Sequence, residues 1–510
     1  MKRCWLFLLS LGLVMAFSVS AFAVDVKVGA DYYVGGLYLN KTSVADGFRN
    51  YFNEPSNDPN PSTAFLYQRL RVDTDFIVSP CLKLVTRSDA MERIWGGQRS
   101  NPGDSDPNSA GTRAENENIA FDVTYIDYTS PIGVLQVGYM PDYVWGTVFA
   151  DRANGPTAGQ IKYSKPFGPF TFVCGYAKEE DMSTSAVFPG QDDTDQDYDS
   201  YRLGGIYNFK GNKVSGEAGL LFTYERDATF KADENYTLWK GWLQIFWFYI
   251  PVYTERSYLR NSYKVNPYAK VKIGPVNLQA ELVYQFGDAY KWEDVEAHST
   301  DYFKPANVSV SALSVFLDAT ANLGMFYTGG SFAYLSGDDP STTDKIEGGI
   351  NNAGLDWNPC LILFNNDTIS YWAGGVSGLG DLYGGNRTQV GGPMSNAWFG
   401  QLRGGVKPTP QLDIMMSLSY AKADKNKNNR LYFVEGEWPV INYSWGNYPG
   451  TSYGFEVDVI GTYNITNNLS YMMGVGYLFT GDYFKGYDLP GYDYKVVDDY
   501  IFINKLTLRF

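Results

Sequence analysis

The sequence is poor in residues that catalyse reactions or hold metals. It has one histidine, His298, and four cysteines, of which Cys4 lies in the first apolar run. The others, Cys81, Cys174 and Cys360, are scattered and odd in number, so they fit neither a disulfide framework nor a zinc or haem motif. No H-E-x-x-H or P-loop pattern occurs. We therefore expect neither an enzyme nor a cofactor.

Long apolar segments are also scarce. After residue 23 no stretch reaches the roughly 18 apolar residues that a membrane-spanning helix needs. The longest run, WLQIFWFYIPV at 242–252, is interrupted by Gln244. At the amino terminus, MKR precedes an apolar run and the small-x-small site AFA at 21–23. This pattern predicts a secretory signal peptide over residues 1–23, with a retained transmembrane anchor as the alternative.

Basic residues are outnumbered by acidic ones, and aromatic residues are abundant. The 41 Lys and Arg against 56 Asp and Glu give a net charge of −15, which argues against a nucleic-acid partner. Aromatic residues make up 16%, including 41 Tyr, although mean hydropathy is only −0.27. A water-soluble β-sandwich, the alternative fold, needs no such excess. A soluble β-sandwich protein of this length would also normally divide into several domains.

A repeated hairpin pattern runs through residues 24–510. Alternating segments of roughly ten residues, the length of a tilted transmembrane strand, are joined by eight short turns, and long polar segments separate these hairpins. The turns lie at 79–81, 131–133, 166–169, 210–213, 274–275, 321–324, 407–411 and 466–468. With a first strand at 26–39 and a last at 500–510, the sequence predicts an all-β fold. It is a single transmembrane antiparallel β-barrel of about 18 strands (range roughly 16–20), with short periplasmic turns and long extracellular loops.

Alternation also assigns the two faces of each strand. Charge on the lipid face costs roughly 2–4 kcal/mol at the midplane, so the charged positions belong in the lumen. The predicted pore-lining residues are Arg69, Arg71, Asp73, Asp75, Lys83, Arg87, Asp122, Arg202, Glu217, Lys270, Lys272, Glu281, Arg403, Asp413, Glu456, Asp458 and Arg509. Facing rows of opposite charge would set a transverse field across the pore. The alternative is that many are simply paired charges that solvate the wall.

Aromatic residues near strand ends fit the girdles found at membrane interfaces, although some must line the lumen. The candidates are Tyr32, Tyr33, Tyr38, Tyr139, Trp145, Tyr477 and Tyr483.

Three of the polar segments support further predictions. The longest, 336–395, is expected to fold inward as a pore constriction, with a surface cap or a partner site as alternatives. The segment 226–262 is a second candidate for a constriction. A weak calcium site is suggested by Asp193, Asp195, Asp197 and Asp199. That segment lacks the glycine and closing glutamate of an EF-hand, so a solvated acidic loop is the simpler interpretation.

Four stretches support a family resemblance: YQRLRVDTDF (67–76), RIWGG (93–97), YLSGDDP (334–340) and GYLFTGDYF (476–484). The chain resembles porin-like proteins of the Gram-negative outer membrane and, more distantly, the alginate-export barrel family. The resemblance implies location in the outer membrane. It also implies that the last strand, ending in Phe510, is recognised by the barrel-assembly machinery. The alginate exporter has a strongly basic conduit, whereas this predicted lumen is mixed in sign.

The expected function is passive diffusion of small hydrophilic solutes or ions, with selectivity set by the lumen charges and the inward loop. Its partners would be outer-membrane lipid, the assembly machinery and the solutes. A homo-oligomer is compatible with the sequence, because a subunit interface and a lipid face are both apolar. One alternative is a barrel that sheathes a periplasmic electron-carrier partner. Another is a specific saccharide export or uptake channel, which would need aromatic residues along the lumen.

Overall fold

The structure is a computed structural model, and it describes most of the chain. The described residues are 24–46, 61–96, 119–142, 144–151, 155–181, 196–230, 238–245, 248–254, 258–292, 307–339, 341–342, 344–348, 356–376, 390–426, 450–485 and 495–510. The predicted signal peptide (1–23), Asp193, Asp195 and His298 lie outside them, and the signal peptide stays a prediction.

Eighteen antiparallel strands form one closed barrel, as predicted. They are β1 Asp25–Leu39, β2 Thr63–Ser79, β3 Leu82–Ile94, β4 Ile119–Ser130, β5 Gly133–Pro141, β6 Thr157–Phe167, β7 Phe170–Asp181, β8 Asp197–Lys210, β9 Val214–Asp227, β10 Tyr258–Ile273, β11 Val276–Trp292, β12 Val308–Leu323, β13 Phe326–Leu335, β14 Ala397–Val406, β15 Leu412–Ala423, β16 Ser452–Asn464, β17 Leu469–Thr480 and β18 Asp499–Arg509. Each strand pairs with its neighbours in the sequence. The ring closes where β1 pairs with β18, from Asp31 opposite Arg509 to Leu39 opposite Ile501.

The eight predicted hairpins are confirmed. They join β2 to β3, β4 to β5, β6 to β7, β8 to β9, β10 to β11, β12 to β13, β14 to β15 and β16 to β17. In two of the turns Gly274 and Gly324 have φ of +57° and +72°. This left-handed backbone is costly for residues with a Cβ atom, so glycine fits these tight reversals.

Minor elements lie between the barrel strands. Ala45–Asp46 pairs with Lys495–Val496, Leu238–Ile245 pairs with Phe248–Thr254, and Lys345–Ile346 runs parallel to part of β12. A π-helical turn spans Asn366–Trp372, and a 3-10 turn spans Asp482–Lys485. Within the described ranges, no helix has the length and apolar character needed to cross a membrane.

The outer surface has two bands of aromatic side chains. Near the long loops, rings contact one another across five adjacent strands with centroid distances of 5.4, 6.0, 5.1 and 5.5 Å. They are Tyr176, Tyr201, Tyr224, Tyr263 and Phe286. Near the short turns, Phe170 and Tyr207 are 4.7 Å apart. Tyr201 and Tyr207 are separated by about 20 Å along β8, so the two groups of rings lie at different heights on the outer surface.

The structure separates the predicted girdle residues into two groups. Tyr139 and Tyr477 are exposed, at 62% and 39%, whereas Tyr33, Trp145 and Tyr483 are buried. Tyr33 is buried because its position in the alternation of β1 places it on the inner face. Trp145 and Tyr483 lie outside the barrel strands, where alternation does not apply. Tyr38 contacts the rings of Tyr500 and Phe502 on the neighbouring strand, and Tyr32 is half-buried.

Replacing an outward-facing residue in the middle of a strand with arginine tests which face of the strands contacts lipid. Leu402, in the middle of β14, is 68% exposed, and Ile132, in the β4–β5 turn, is 69% exposed. We expect Leu402→Arg to lower the free energy of unfolding in lipid vesicles by about 2–4 kcal/mol, and Ile132→Arg by at most about 1 kcal/mol. Denaturant titration measures both. Equal losses in the two variants would contradict the assignment.

Candidate functional site: an interior with two inserted segments

Two segments outside the barrel strands lie against the inner wall. The first inserted segment is 144–151, which follows β5. The second inserted segment is 356–376, which belongs to the predicted long loop 336–395. Both segments contact side chains of the wall that are buried. The adjacent residues on the same strands, which point outward, are exposed. On β16, for example, Glu456 and Asp458 are 0% and 1% exposed, whereas Val459 is 45% exposed.

A wall carboxylate holds the first inserted segment. Oε2 of Glu281 accepts hydrogen bonds from the backbone N–H groups of Thr147, Val148 and Phe149 at 2.7, 2.6 and 3.2 Å. Oε1 accepts from the N–H of Ala150 at 3.2 Å. Successive N–H groups that converge in this way form an anion-binding nest. The carboxylate therefore fixes the path of four consecutive residues.

The turn into this nest requires a glycine. Gly146 has φ of +76°, and a Cβ atom there would lie 2.5 Å from Oε1 of Glu281. Both the backbone conformation and the close approach of the carboxylate exclude a side chain at this position.

A second wall carboxylate holds the second inserted segment. Glu456 accepts hydrogen bonds from the N–H groups of Ile362 and Leu363, both at 2.7 Å. The next turn is fixed by Asn365, whose side chain accepts from the N–H of Thr368 at 2.7 Å and donates to the carbonyl of Cys360 at 2.9 Å. The segment is thus held by polar contacts, both to the wall and within its own chain.

Aromatic packing attaches the second inserted segment to β1 and β2. Trp372 stacks on Tyr67 with ring centroids 4.6 Å apart, and its ring meets Tyr33 edge-on at 6.5 Å. Nζ of Lys505 lies 4.4 Å from the ring of Tyr33 and 3.5 Å from the carboxylate of Asp367. Trp372 is 1% exposed, so this end of the segment is closely packed against the wall.

The two inserted segments meet at one wall residue. Phe316 of β12 contacts Phe149 of the first segment, with centroids 6.4 Å apart, and Trp357 of the second, at 5.1 Å. Phe149 and Phe316 belong to one buried apolar cluster that also includes Phe399 and Tyr453, and the half-buried Trp357 packs against it. The hydrophobic core of the protein therefore lies inside the ring, between the wall and the two segments.

The predicted lumen charges on β2, β3 and β4 form a chain of ion pairs. Arg71 donates to both oxygens of Asp89 at 2.7 and 2.6 Å, and a guanidinium nitrogen of Arg87 lies 2.7 Å from Asp122. Arg69 lies 3.5 Å from a carboxylate oxygen of Glu92. Lys83 lies 3.0 Å from Asp75, and Asp73 stands opposite Arg87 in the register.

Most of the remaining predicted charges also have a charged partner, whereas Glu281, Glu456 and Asp458 form no ion pair among the described residues. Arg202 contacts Asp142 and Glu179, Lys270 lies 3.7 Å from Glu217, and Arg403 lies 2.7 Å from Asp318. Lys407 lies 3.4 Å from Asp413, Arg509 lies 2.8 Å from Asp31, and Lys272 stands opposite Asn277 in the register. Among the described residues these partners lie close together on the wall, and the facing rows expected from the sequence stay a prediction. Whether the predicted residues line a pore stays a prediction.

Several partners were absent from the predicted set: Asp31, Asp89, Glu92, Asp142, Glu179, Asp318 and Lys407. Asp89 follows Arg87 by two positions, so alternation could have identified it. Glu92 could not be found in this way, because Met91 has φ of +52° and the pairing shifts along β2 and β3. Such a bulge changes which face the following residues occupy.

The weak calcium candidate is only partly described. Nζ of Lys178 lies 2.6 Å from Asp197 and 3.0 Å from Asp199. An ammonium group thus supplies positive charge to these two carboxylates. The calcium site stays a prediction, as does the constriction at 226–262.

The first part of the predicted loop 336–395 is tied to the segment that follows β15. Oδ2 of Asp339 lies 2.8 Å from Nζ of Lys425, and Oδ1 accepts from the N–H and hydroxyl of Ser341 at 2.9 and 2.7 Å. The hydrogen bonds from Lys425 and Ser341 hold the pKa of Asp339 well below its usual range.

No family model matches the chain, and no curated protein matches it. Among solved structures, the outer-membrane protein OprD from Pseudomonas aeruginosa is 11% identical, with 97% of this chain and 96% of that chain covered and a TM-score of 0.44. A BenF-like porin from Pseudomonas fluorescens Pf-5 is 12% identical, with 96% and 100% covered and a TM-score of 0.44. An anion-selective porin from Comamonas acidovorans is 11% identical, with 95% and 99% covered and a TM-score of 0.38. Identities and TM-scores this low do not show which family the chain belongs to. The likeness to alginate-export barrels stays a prediction.

Removing the charge of Glu281 should loosen the first inserted segment. In Glu281→Gln an amide replaces one carboxylate oxygen and faces the backbone N–H groups, so we expect a local loss of about 1–3 kcal/mol. Amide hydrogen exchange at 147–150 should become correspondingly faster. The matched control is Glu217→Gln, because Glu217 is half-exposed and contacts the side chains of Lys270 and Tyr268 and neither inserted segment. Unchanged exchange in Glu281→Gln would show that the carboxylate does not hold the segment.

The contact between Asp339 and Lys425 should persist in acid. Because the folded pKa lies below the unfolded value, the contact stabilises the fold above the ordinary aspartate pKa. It is lost only as the pH falls through the lower folded pKa. Carbon-13 NMR titration of the Asp339 carboxyl should show this low value. Lys425→Met should return it towards the usual range, and Lys407→Met should leave it unchanged. An ordinary pKa in the unmodified protein would contradict the contact.

Proposed function

We propose that this chain is an outer-membrane channel through which small hydrophilic solutes or ions diffuse passively. The observation that supports this best is a closed strand ring with an apolar exterior and an ion-paired interior. In hydrocarbon every backbone polar group needs a partner, and a closed barrel provides one without leaving an edge. Barrels made of β-strands are typical of the outer membrane.

The interior charges favour a wet lumen. Taking an ion pair fully out of water costs several kcal/mol per ion. On the half of the wall nearer the short turns, the side chains of Lys270 and Glu217 are 43% and 33% exposed, and those of Lys83 and Asp75 are 37% and 33% exposed. These pairs are thus open to solvent inside the ring. A barrel of this strand number encloses enough space for an aqueous path.

The inserted segments would narrow that path. Both are held by buried carboxylates, and both pack on Phe316, so they would act together as one constriction. Size selection would then come from the space that the segments leave. Charge selection would come from the wall pairs beside them.

Two alternatives are less well supported. A sheath around a periplasmic electron carrier needs an open lumen, whereas the two inserted segments already pack against the inner wall. A saccharide channel needs accessible rings, but Tyr33, Tyr67 and Trp372 are 4%, 2% and 1% exposed. Passive diffusion of small solutes requires neither feature.

The carboxyl-terminal residue supports the proposed route of assembly. Phe510 closes the ring with two backbone hydrogen bonds to Ala30, at 2.8 and 3.1 Å, while its residue is 66% exposed. The ring can therefore close while the aromatic side chain stays accessible to the assembly machinery.

Planar-bilayer recording of the purified protein tests the channel function. We expect discrete single-channel current steps whose size depends on the solute or salt. A protein that folds into the membrane but conducts no ions, or that copurifies with haem, would contradict passive diffusion.

Releasing the second inserted segment should widen the channel. Trp372→Ala removes the stack on Tyr67 and should weaken the attachment of the segment by about 3–5 kcal/mol. We expect a larger single-channel conductance. Trp398→Ala is the matched control, because Trp398 is 40% exposed and packs on outward-facing rings. An equal conductance in the two variants would argue against the segment as a constriction.

A further inference from the structure

We propose that Cys360, Glu456 and Asp458 form a zinc site that joins the second inserted segment to the barrel wall. The site is independent of solute diffusion. It would exist whether or not the lumen conducts ions.

The three side chains come together from two parts of the chain. Cys360 lies in the second inserted segment, while Glu456 and Asp458 are two residues apart on β16 and share its inner face. One potential ligand atom from each lies within 4.8 Å of the other two. The three residues are 3%, 0% and 1% exposed. A thiol and two carboxylates are therefore held together away from bulk water.

The described lysine and arginine residues do not balance the charge of this cluster. Among the described residues, no lysine or arginine forms an ion pair with Glu456 or Asp458. A buried carboxylate costs several kcal/mol unless it is paired, protonated or bound to a metal. Two such groups side by side need either a proton between them or a cation.

One oxygen of Asp458 provides independent support for a ligand. Its Oδ2 is 3.3 Å from the hydroxyl of Ser417, but its Oδ1 is buried and receives no hydrogen bond from the described residues. Gly476 stands opposite Asp458 on β17, and a Cβ atom there would lie 2.6 Å from Oδ1. A side chain at position 476 would therefore collide with this oxygen, and the glycine lets Asp458 keep its place on the inner face.

The donor set suits zinc. Zn²⁺ binds cysteine sulfur at about 2.3 Å and carboxylate oxygen at about 2.0–2.2 Å, so neighbouring ligands of a tetrahedral site are roughly 3.3–3.6 Å apart. Closing the present cluster to that size needs side-chain movements of about 1 Å. Each oxygen of Glu456 accepts one N–H group and keeps another lone pair for the metal. As the zinc–sulfur bond forms, the proton of the Cys360 thiol passes to water.

Metal analysis of the untagged protein, refolded in detergent, tests the site. After incubation with zinc chloride and removal of free metal, we expect about one zinc per chain. Cys360→Ser and Asp458→Asn should each lose it. The other two described cysteines give matched controls: Cys81→Ser and Cys174→Ser should retain about one zinc per chain.

Two further measurements separate the cysteine site from adventitious binding by carboxylates. Cobalt(II) in place of zinc should give a thiolate-to-cobalt charge-transfer absorption in the unmodified protein, and not in Cys360→Ser. Zinc should also raise the melting temperature of the unmodified protein, because it binds the folded state.

The proposal is overturned if the unmodified protein retains no zinc. A proton shared between the two carboxylates would then be what makes their burial possible. It is equally overturned if Cys360→Ser retains as much zinc as the unmodified protein. Should that variant fail to fold, as judged by electrophoretic mobility before and after heating, the zinc content and cobalt spectrum of the unmodified protein decide the question.

Discussion

The pairing of β1 with β18 is the constraint on which the rest of the structure depends. In hydrocarbon an unpaired strand edge would leave a row of N–H and C=O groups without partners, at a cost of several kcal/mol each. Closing the ring removes both edges and gives every strand an inside and an outside. Alternation then places apolar side chains on the outer surface and charged ones towards the interior. The ion pairs and the buried carboxylates follow from that division.

Inside the ring, buried carboxylates perform a task that apolar packing alone could not. A segment that leaves the sheet has backbone N–H groups without strand partners, and these must be satisfied where the segment is buried. Glu281 accepts four such groups, and Glu456 accepts two. The apolar cluster around Phe316 then fills the space between the segments and the wall. Polar contacts thus set the path of each segment, and packing excludes water from it.

The strands and turns could be predicted because their signals are local. Alternation and a turn glycine such as Gly274 lie within a few residues of the feature they specify. The nest around Glu281 could not be predicted, because more than 130 positions separate the carboxylate from Thr147. The same limit applies to the partners of the charges, which depend on the register between strands. Glu92 shows a second limit, since the bulge at Met91 interrupts the alternation.

The placement of charges on adjacent strands has an electrostatic consequence. A guanidinium and a carboxylate side by side, such as Arg71 and Asp89, form a dipole that runs along the circumference of the wall. The potential of a dipole decays faster with distance than that of a lone charge, and neighbouring dipoles partly cancel. In the proposed channel, an ion on the axis would therefore experience a weaker field from such pairs than from the same charges without partners.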